Sequence, residues 1–467
     1  MHTSTTSTVP LVPWTAEQLE QAMQGYWLNE QKPQGEIKRI LTDSRDAEQG
    51  DAFLALKGER FDAHDFVEQV AKNGCQMAIV SRPLDADICQ LVVEDTRLAL
   101  GQLGAYRRQQ NPQLKVIALT GSSGKTTTKE MLGSILSGLA PTLITRGNLN
   151  NDLGVPVMLL ELRPEHQYAV MELGASHQGE IDYTSKMVQP HVAGIINIGT
   201  AHLGEFGGRD GICTAKSEIY AHISETSIIP AADDFADTIR AAVKTEQSLS
   251  FGAGGDVYAT DVELHPQTAN FVLNTPQGNR AVNLPFAGEH NVENATAAAA
   301  FALAIGIGLD DIVAGLEQAV GAKGRLNFIQ HQQYLLIDDT YNANPSSMRA
   351  AADVLAQQQG IRVMVTGDIG ELGASAAMEH YKLGRDLVSV KGLNFVVAVG
   401  EFAPAMQEGA RSTQYGKKMQ AFLNQEQALP FLIRLIETHQ PQPMSFLFKG
   451  SRYTHMETLM AALMEKL

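Results

Sequence analysis

The sequence predicts an α/β protein of about three domains built on parallel sheets, and three observations carry that prediction. The chain is 467 residues long, and domains average about 100 to 200 residues each. Short apolar runs that read as buried strands alternate with helical stretches, once before and once after residue 325. The stretch VIALTGSSGKTTTKEML, residues 116 to 132, joins a strand to a helix through a glycine-rich turn.

That turn points to a ligand. Backbone N–H groups converge in such a loop, the helix N-terminus favours an anion, and glycine lets the backbone approach closely. Gly121, Ser122, Ser123, Gly124, Lys125, Thr126 and Thr127 form it, with Lys125 able to reach outer phosphates and Thr126 able to ligate Mg²⁺. Leu119 stands where the usual motif has its first glycine, so the loop is a shortened variant. The expectation is a nucleoside triphosphate.

Ahead of the loop, residues 15–24 read as an amphipathic helix, 37–41 and 51–56 as strands, 66–73 as a helix and 77–80 as a strand, with a first domain ending near Asp95. Arg45, Lys57 and Arg60 concentrate positive charge at strand ends, which suits a diphosphate or a solvated loop edge. Beyond the loop come an amide-rich segment with Asn148, Asn150 and Asn151, a strand 168–171 ending in Glu172, and a strand 193–198 ending near His202. Carboxylate and imidazole at strand C-termini sit where open α/β sheets bind ligands. Glu172 fits Mg²⁺ beside Thr126, or a cap or salt bridge; His202 fits a ligand or a structural role; Lys216 is unremarkable by spacing. Residues 288–294 read as the cap of an Ala-rich helix over 295–305. Strands 334–338, 362–366, 395–399 and 446–448 alternate with helices 346–359 and 376–390, predicting a second parallel sheet.

Composition excludes several classes. A net charge of −16 argues against general nucleic-acid or acidic-membrane binding. No apolar run reaches the ~18 residues of a membrane span, and the N-terminal stretch lacks the charged and apolar regions of a signal peptide. Cys75, Cys89 and Cys213 lack metal spacing and read as reduced thiols of a cytoplasmic protein. No Ser-His-Asp, Cys-His or zinc pattern is evident, which removes support for a hydrolase.

As a set, the 120–126 loop, Asn150-Asn151, Glu172, His202, Lys216, residues 288–294, Gly324-Arg325 and residues 338–345 (DDTYNANP) fall in the order seen in the Mur ligases. The chain resembles that family, which adds amino acids to the peptidoglycan precursor, from about Thr42 to Arg452. The stretches FLALKGERFDAHDF, DDTYNANPSSM and GDIGELG look like the member that adds D-alanyl-D-alanine, and the Asp-Asn-Pro-Arg motif of the diaminopimelate- and lysine-adding relative is absent.

The resemblance implies a small α/β N-terminal domain (1–95) for the UDP end of UDP-N-acetylmuramoyl-tripeptide, a central P-loop ATPase-type domain (96–324), and a C-terminal Rossmann-like domain (325–467) for the dipeptide. It implies ATP in the 121–127 loop and two Mg²⁺, one on Thr126 and Glu172 and one on His202. Lys216 matches a lysine that some members carbamylate. Asn291 and Asn294 would lie near the adenine, Arg325 on the phosphates and Asp339 on the ribose. Ser44, Arg45 and Lys57 would contact UDP, Asn150 and Asn151 the sugar–peptide, and Tyr341, Asn342 and Asn344 would line the site. Lys125, Lys216, His202 and Arg325 would be catalytic, in a monomer. Another amide ligase of the superfamily, such as a folylpolyglutamate synthetase, and a nucleotide-dependent switch are the rival readings.

Overall fold

The computed structural model describes residues 10–58, 61–200 and 203–467. Three larger sheets follow one another along the chain, each formed where apolar runs meet side by side. The first has five strands in the order Tyr26–Trp27, Cys89–Val92, Met77–Val80, Ala52–Leu54 and Ile40–Leu41, parallel except for the first pairing. The second has six parallel strands: Gln247–Phe251, Thr226–Pro230, Val192–Ile195, Lys115–Thr120, Tyr168–Glu172 and Thr142–Ile144. The third runs Asn327–His331, Tyr334–Asp338, Met444–Lys449, Ile361–Gly367, Phe395–Val399 and Met419–Phe422, parallel except at its antiparallel first edge.

Strands with both faces covered need no alternation, and Val116 to Leu119 are accordingly buried at every position. The expected strands at 37–41 and 51–56 shorten to Ile40–Leu41 and Ala52–Leu54, because Ile37 instead bridges to Trp14. The segment 288–294 is not a cap before the Ala-rich helix but its first two turns, since that helix spans Glu289–Ala304 with Gly288 at its N-cap.

A small antiparallel sheet, Tyr258–Leu264, Ala269–Thr275 and Gly278–Leu284, is absent from the sequence reading. Its outer strand is largely exposed and carries no apolar alternation, so it leaves little trace. Its middle strand does alternate, turning Ala269, Phe271 and Leu273 onto the Ala-rich helix. That explains a helix apolar on all sides: the small sheet covers one flank and the six-stranded parallel sheet the other. Alanine's small side chain lets both approach.

The helix Thr96–Gln109, N-capped by Asp95, lies between the first and second sheets. Ala99, Leu100 and Leu103 join the N-terminal core, together with Leu160 from the central region, and the Arg97–Asp152 ion pair fastens its start. Gly104 lets it lie against Pro156, whose Cα and Cβ would stand 2.8 Å from a Cβ at that position. We expect Gly104→Ala to cost about 1–2 kcal/mol, overpacking outweighing the helix propensity gained. A urea unfolding curve compared with the parent protein measures it, and an unchanged midpoint would show that the contact yields freely.

Candidate active site

The phosphate-binding loop leaves the C-terminal end of the strand Lys115–Thr120 and enters the helix Lys125–Ser137. Gly124 caps that helix at φ +79°, and a Cβ there would lie 2.2 Å from Asn294 Oδ1, so only glycine fits. Asn197, just past the strand Val192–Ile195, staples the loop. Its Oδ1 accepts from the Ser122 and Ser123 N–H groups at 3.1 and 2.9 Å, and its Nδ2 donates to the Ser123 carbonyl at 3.0 Å. The sequence reading missed Asn197. The available signal was an amide between isoleucines at the end of a buried strand, the same placement as Glu172.

Glu172 ends its strand with only 2% of its surface exposed. The Thr126 hydroxyl donates to its Oε2 at 3.1 Å and Asn150 Nδ2 to its Oε1 at 2.8 Å. Two hard oxygens side by side at the mouth of a phosphate loop fit Mg²⁺, which takes one or two protein groups and completes its shell with phosphates and water. No cluster of three acidic, His or Cys groups suited to a metal occurs among the described residues, and His202 lies outside them. Lys125 Nζ donates to the Gly121 carbonyl at 2.8 Å. Burial holds the Lys125 amine below its usual range, with Glu172 opposing and Arg325 reinforcing the shift. Lys216, on the helix Arg209–Ser217, is buried and held well below the lysine range, first by desolvation and then by Lys125, against the pull of Glu172. Lowering an amine's pKa raises the share present as the nucleophilic free base.

Three cavities border Arg325, and two of them gather most of the expected site residues. One, of about 310 Å³, is lined by Ser123, Gly124, Thr127, Asn291, Asn294 and Asp339 among others. There Asn291 Nδ2 donates to the Ala287 carbonyl at 2.8 Å and its Oδ1 accepts from Asn294 Nδ2 at 3.0 Å, so the two carboxamides fix one another. Asp339 pairs with Lys449 at 2.7 Å; burial pushes its carboxyl up while Lys449 and Arg325 pull it back. The other cavity, of about 350 Å³, is lined by Thr126, Asn150, Asn151, Glu172, Lys216, Tyr341, Asn342 and Arg452 among others. The Arg325 guanidinium lies 4.5 Å over the Tyr341 ring, a cation–π contact that orients it.

Several expected contacts sit elsewhere. Arg45 is exposed and forks onto Asp43, at 2.8 and 2.5 Å, drawing that carboxyl down to about 2. Ser44 opens the same turn, Lys57 is exposed where it bridges to Asp62, and Arg60 lies outside the described residues. None of Ser44, Arg45 and Lys57 lines either cavity or the separate 460 Å³ hollow walled by Lys38, Arg39, Arg146 and Arg163. Asn151 Oδ1 accepts from Gly154 N–H at 2.8 Å, and Asn342 Oδ1 accepts from Ala343 N–H at 2.8 Å, so both amides shape backbone. Asn344 caps the helix Pro345–Ala356.

One array brings a serine, a histidine and an aspartate together without making a nucleophile set. His64 Nδ1 lies 2.5 Å from Asp62 Oδ1, and its Nε2 lies 3.1 Å from Ser81 Oγ. That Nε2 also accepts the Ser81 backbone N–H at 2.9 Å, so its lone pair is engaged and the array staples a loop instead of activating a nucleophile.

A phosphate loop backed by a buried carboxylate, facing a second cavity across one arginine, defines a nucleotide-dependent enzyme with a second substrate. Family models match in sequence: "Mur ligase family, catalytic domain" over residues 36–115, "Mur ligase middle domain" over 119–302 and "Mur ligase, glutamate ligase domain" over 324–452. The chain belongs to the Mur ligase family. It is 44% identical over 435 residues to the UDP-N-acetylmuramoyl-tripeptide--D-alanyl-D-alanine ligase of Escherichia coli K12, covering 92% of this chain and 94% of that one. The crystal structure of MurF from Acinetobacter baumannii superposes with a TM-score of 0.95 at 74% identity, over 98% of this chain and 100% of that one. The MurF ligase of Thermotoga maritima in complex with ADP gives 0.80 at 27% identity, over 92% and 98%.

His290 lines the first cavity and is held neutral by burial and then by Lys449, its pKa drawn from 6.5 down to about 4. The unfolded chain binds that proton more readily, so stability is unaffected above pH 6.5 and falls as pH drops from 6.5 towards 4. The loss attributable to this residue is at most about 3 kcal/mol. His290→Gln is expected to flatten the pH dependence of the urea midpoint in that window, and parallel curves for the two proteins would refute the assignment.

Proposed function

We propose that this chain is an ATP-dependent ligase that joins D-alanyl-D-alanine to UDP-N-acetylmuramoyl-tripeptide in peptidoglycan precursor synthesis. The observation that carries the reading is the meeting of two cavities at Arg325, one behind the phosphate loop and one lined by Glu172 and Lys216. The extensive similarity to the E. coli enzyme supports the substrate pair.

In this reading, residues 1–95 hold the UDP end, 96–324 hold ATP and 325–467 bring the dipeptide. Residues 121–127 cradle the triphosphate, with Asn291 and Asn294 beside the base, Asp339 at the ribose and Arg325 on the phosphates. Ser44, Arg45 and Lys57 meet the UDP, which requires Arg45 to exchange Asp43 for phosphate. Asn150 and Asn151 face the sugar–peptide side, and Tyr341 and Asn342 line the acceptor cavity. The enzyme works as a cytoplasmic monomer; no helix among the described residues is long and apolar enough to cross a membrane.

A carboxylate is a poor electrophile, so amide formation needs activation. The tripeptide's terminal carboxylate oxygen attacks the γ-phosphorus, the bond to the β-phosphate oxygen breaks, and ADP leaves behind an acyl phosphate. The dipeptide's free amine then attacks the acyl carbon, loses a proton, and the tetrahedral intermediate expels inorganic phosphate. Lys125 and Arg325 neutralise charge where it builds on the phosphoryl oxygens, and the cavity walls hold both reactants in line. Thr126 and Glu172 would hold one Mg²⁺ and His202 a second, supplying further charge neutralisation. Lys216, in its free-base form, would add carbon dioxide at its amine nitrogen and release one proton to water, giving a carbamate whose oxygens could serve as ligands.

Phosphate release from ATP should require both UDP-N-acetylmuramoyl-tripeptide and D-alanyl-D-alanine. Release that needs glutamate and a folate instead would replace the substrate assignment, and release indifferent to any acceptor would remove the ligase reading. Lys125→Ala should lower turnover by at least about 10²-fold while remaining folded. For Lys216, turnover should rise when bicarbonate is added to degassed enzyme and fall on acidification, which protonates the amine and discharges the carbamate. Identical rates with and without bicarbonate, together with an unmodified mass for the Lys216 peptide under native conditions, would exclude that modification.

A further inference from the structure

The region after residue 325 touches the phosphate loop directly. Asn344 Nδ2 donates to Ser123 Oγ at 2.8 Å, across 221 residues of sequence. Asn344 is held firmly for this: its Oδ1 accepts from Ser347 N–H and from Ser346 Oγ, both at 2.8 Å, as N-cap of the helix Pro345–Ala356. Docking continues beside that bond. The Gly204 N–H donates to the Glu371 carbonyl at 3.3 Å, and Leu203 packs with both the central and the C-terminal apolar clusters. A Cβ on Gly204 would lie 3.0 Å from Gly373 Cα, so the two backbones meet there without room for a side chain.

From the opposite side, Asn197 holds the Ser122 and Ser123 backbone. The loop therefore has its backbone set by the central sheet and its Ser123 hydroxyl set by the C-terminal region. An amide hydrogen on one lone pair of Ser123 Oγ leaves the hydroxyl proton to donate, and a hydroxyl that accepts one hydrogen bond donates the next more strongly. Ser123 lines the nucleotide cavity, so that proton is available to a phosphoryl oxygen.

We propose that Asn344 is a positioning residue for the nucleotide: through Ser123 it sets the phosphate loop from the C-terminal region, which adds Tyr341 and Asn342 to the acceptor cavity, so the loop is complete only when that region is docked. Phosphoryl transfer before docking would expose an acyl phosphate to water, and this contact ties the first step to closure. The inference rests on the reading that residues 121–127 bind a triphosphate. It also gives Asn344 a role different from direct substrate contact.

Two substitutions isolate the bond. Asn344→Ser keeps a good N-cap but cannot span to Ser123, and adds no charge. Ser123→Ala removes the acceptor and leaves the cap intact. With both substrates saturating, each should raise KM for ATP about 5- to 10-fold, the scale of one hydrogen bond, with the thermal midpoint unchanged. The double variant should be no worse than Ser123→Ala alone, because without the Ser123 hydroxyl the Asn344 amide has nothing left to position, and Ser123→Thr should restore most of the lost affinity. Unchanged KM in Asn344→Ser, or additive effects in the double variant, would overturn the proposal. Lys125→Ala serves as the separate control: if it binds and turns over ATP normally, the phosphate-loop reading itself fails, whereas its inactivity beside a normal Asn344→Ser protein sinks only the inference.

Discussion

The site depends on one buried carboxylate. Glu172 sits at a strand end with almost no exposure, its two oxygens engaged by the Thr126 hydroxyl and the Asn150 amide. A buried charge is costly unless compensated. Here the field of Glu172 counters the desolvation of both Lys125 and Lys216, each drawn from a different helix. The three groups are therefore balanced against one another, and a dication with phosphates fits that balance because it supplies positive charge where hard oxygens already point.

Around that carboxylate, parallel strands do the placing. The phosphate loop, Glu172 and Asn197 leave neighbouring strands at the same sheet edge, where open α/β sheets present ligands. The Ala-rich helix closes the arrangement from behind. Its first turns bring Asn294, steadied by Asn291, against Gly124 and Thr128, while its alanines fill the space between two sheets. The same helix thus serves the core along most of its length and the cavity beside the phosphate loop at its start.

Much of this was legible. Buried strands such as Met77–Val80, Tyr334–Asp338 and Phe395–Val399 stand out because a short apolar run bounded by polar turns has few other interpretations. Glycine at 124 was readable because a strand-to-helix phosphate loop needs a left-handed residue. The strand Tyr258–Leu264 was not, since its pairing rests on backbone hydrogen bonds to its neighbour and most of its side chains are exposed, only Ala259 and Leu264 packing inward. Asn197 and the His64–Ser81 half of the Asp62–His64–Ser81 staple were hidden for another reason: Ser81 lies 17 residues from His64 and Ser122 lies 75 from Asn197, and nothing local marks an amide or imidazole that will meet them.

By itself the sequence determined the α/β class, the order of strands and helices near the site and the phosphate loop, because periodicity and motif spacing are local properties of a chain, while the kinship with the Mur ligases came from the resemblance of its ordered motifs to that family. Only the tertiary structure decided which asparagine does what. Asn150 steadies Glu172, Asn151 and Asn342 shape their own loops, Asn197 grips the phosphate loop, and Asn344 reaches that loop from another sheet. A carboxamide can donate, accept or do both. Its role is fixed by the groups that folding brings within about 3 Å, and no spacing along the chain specifies them.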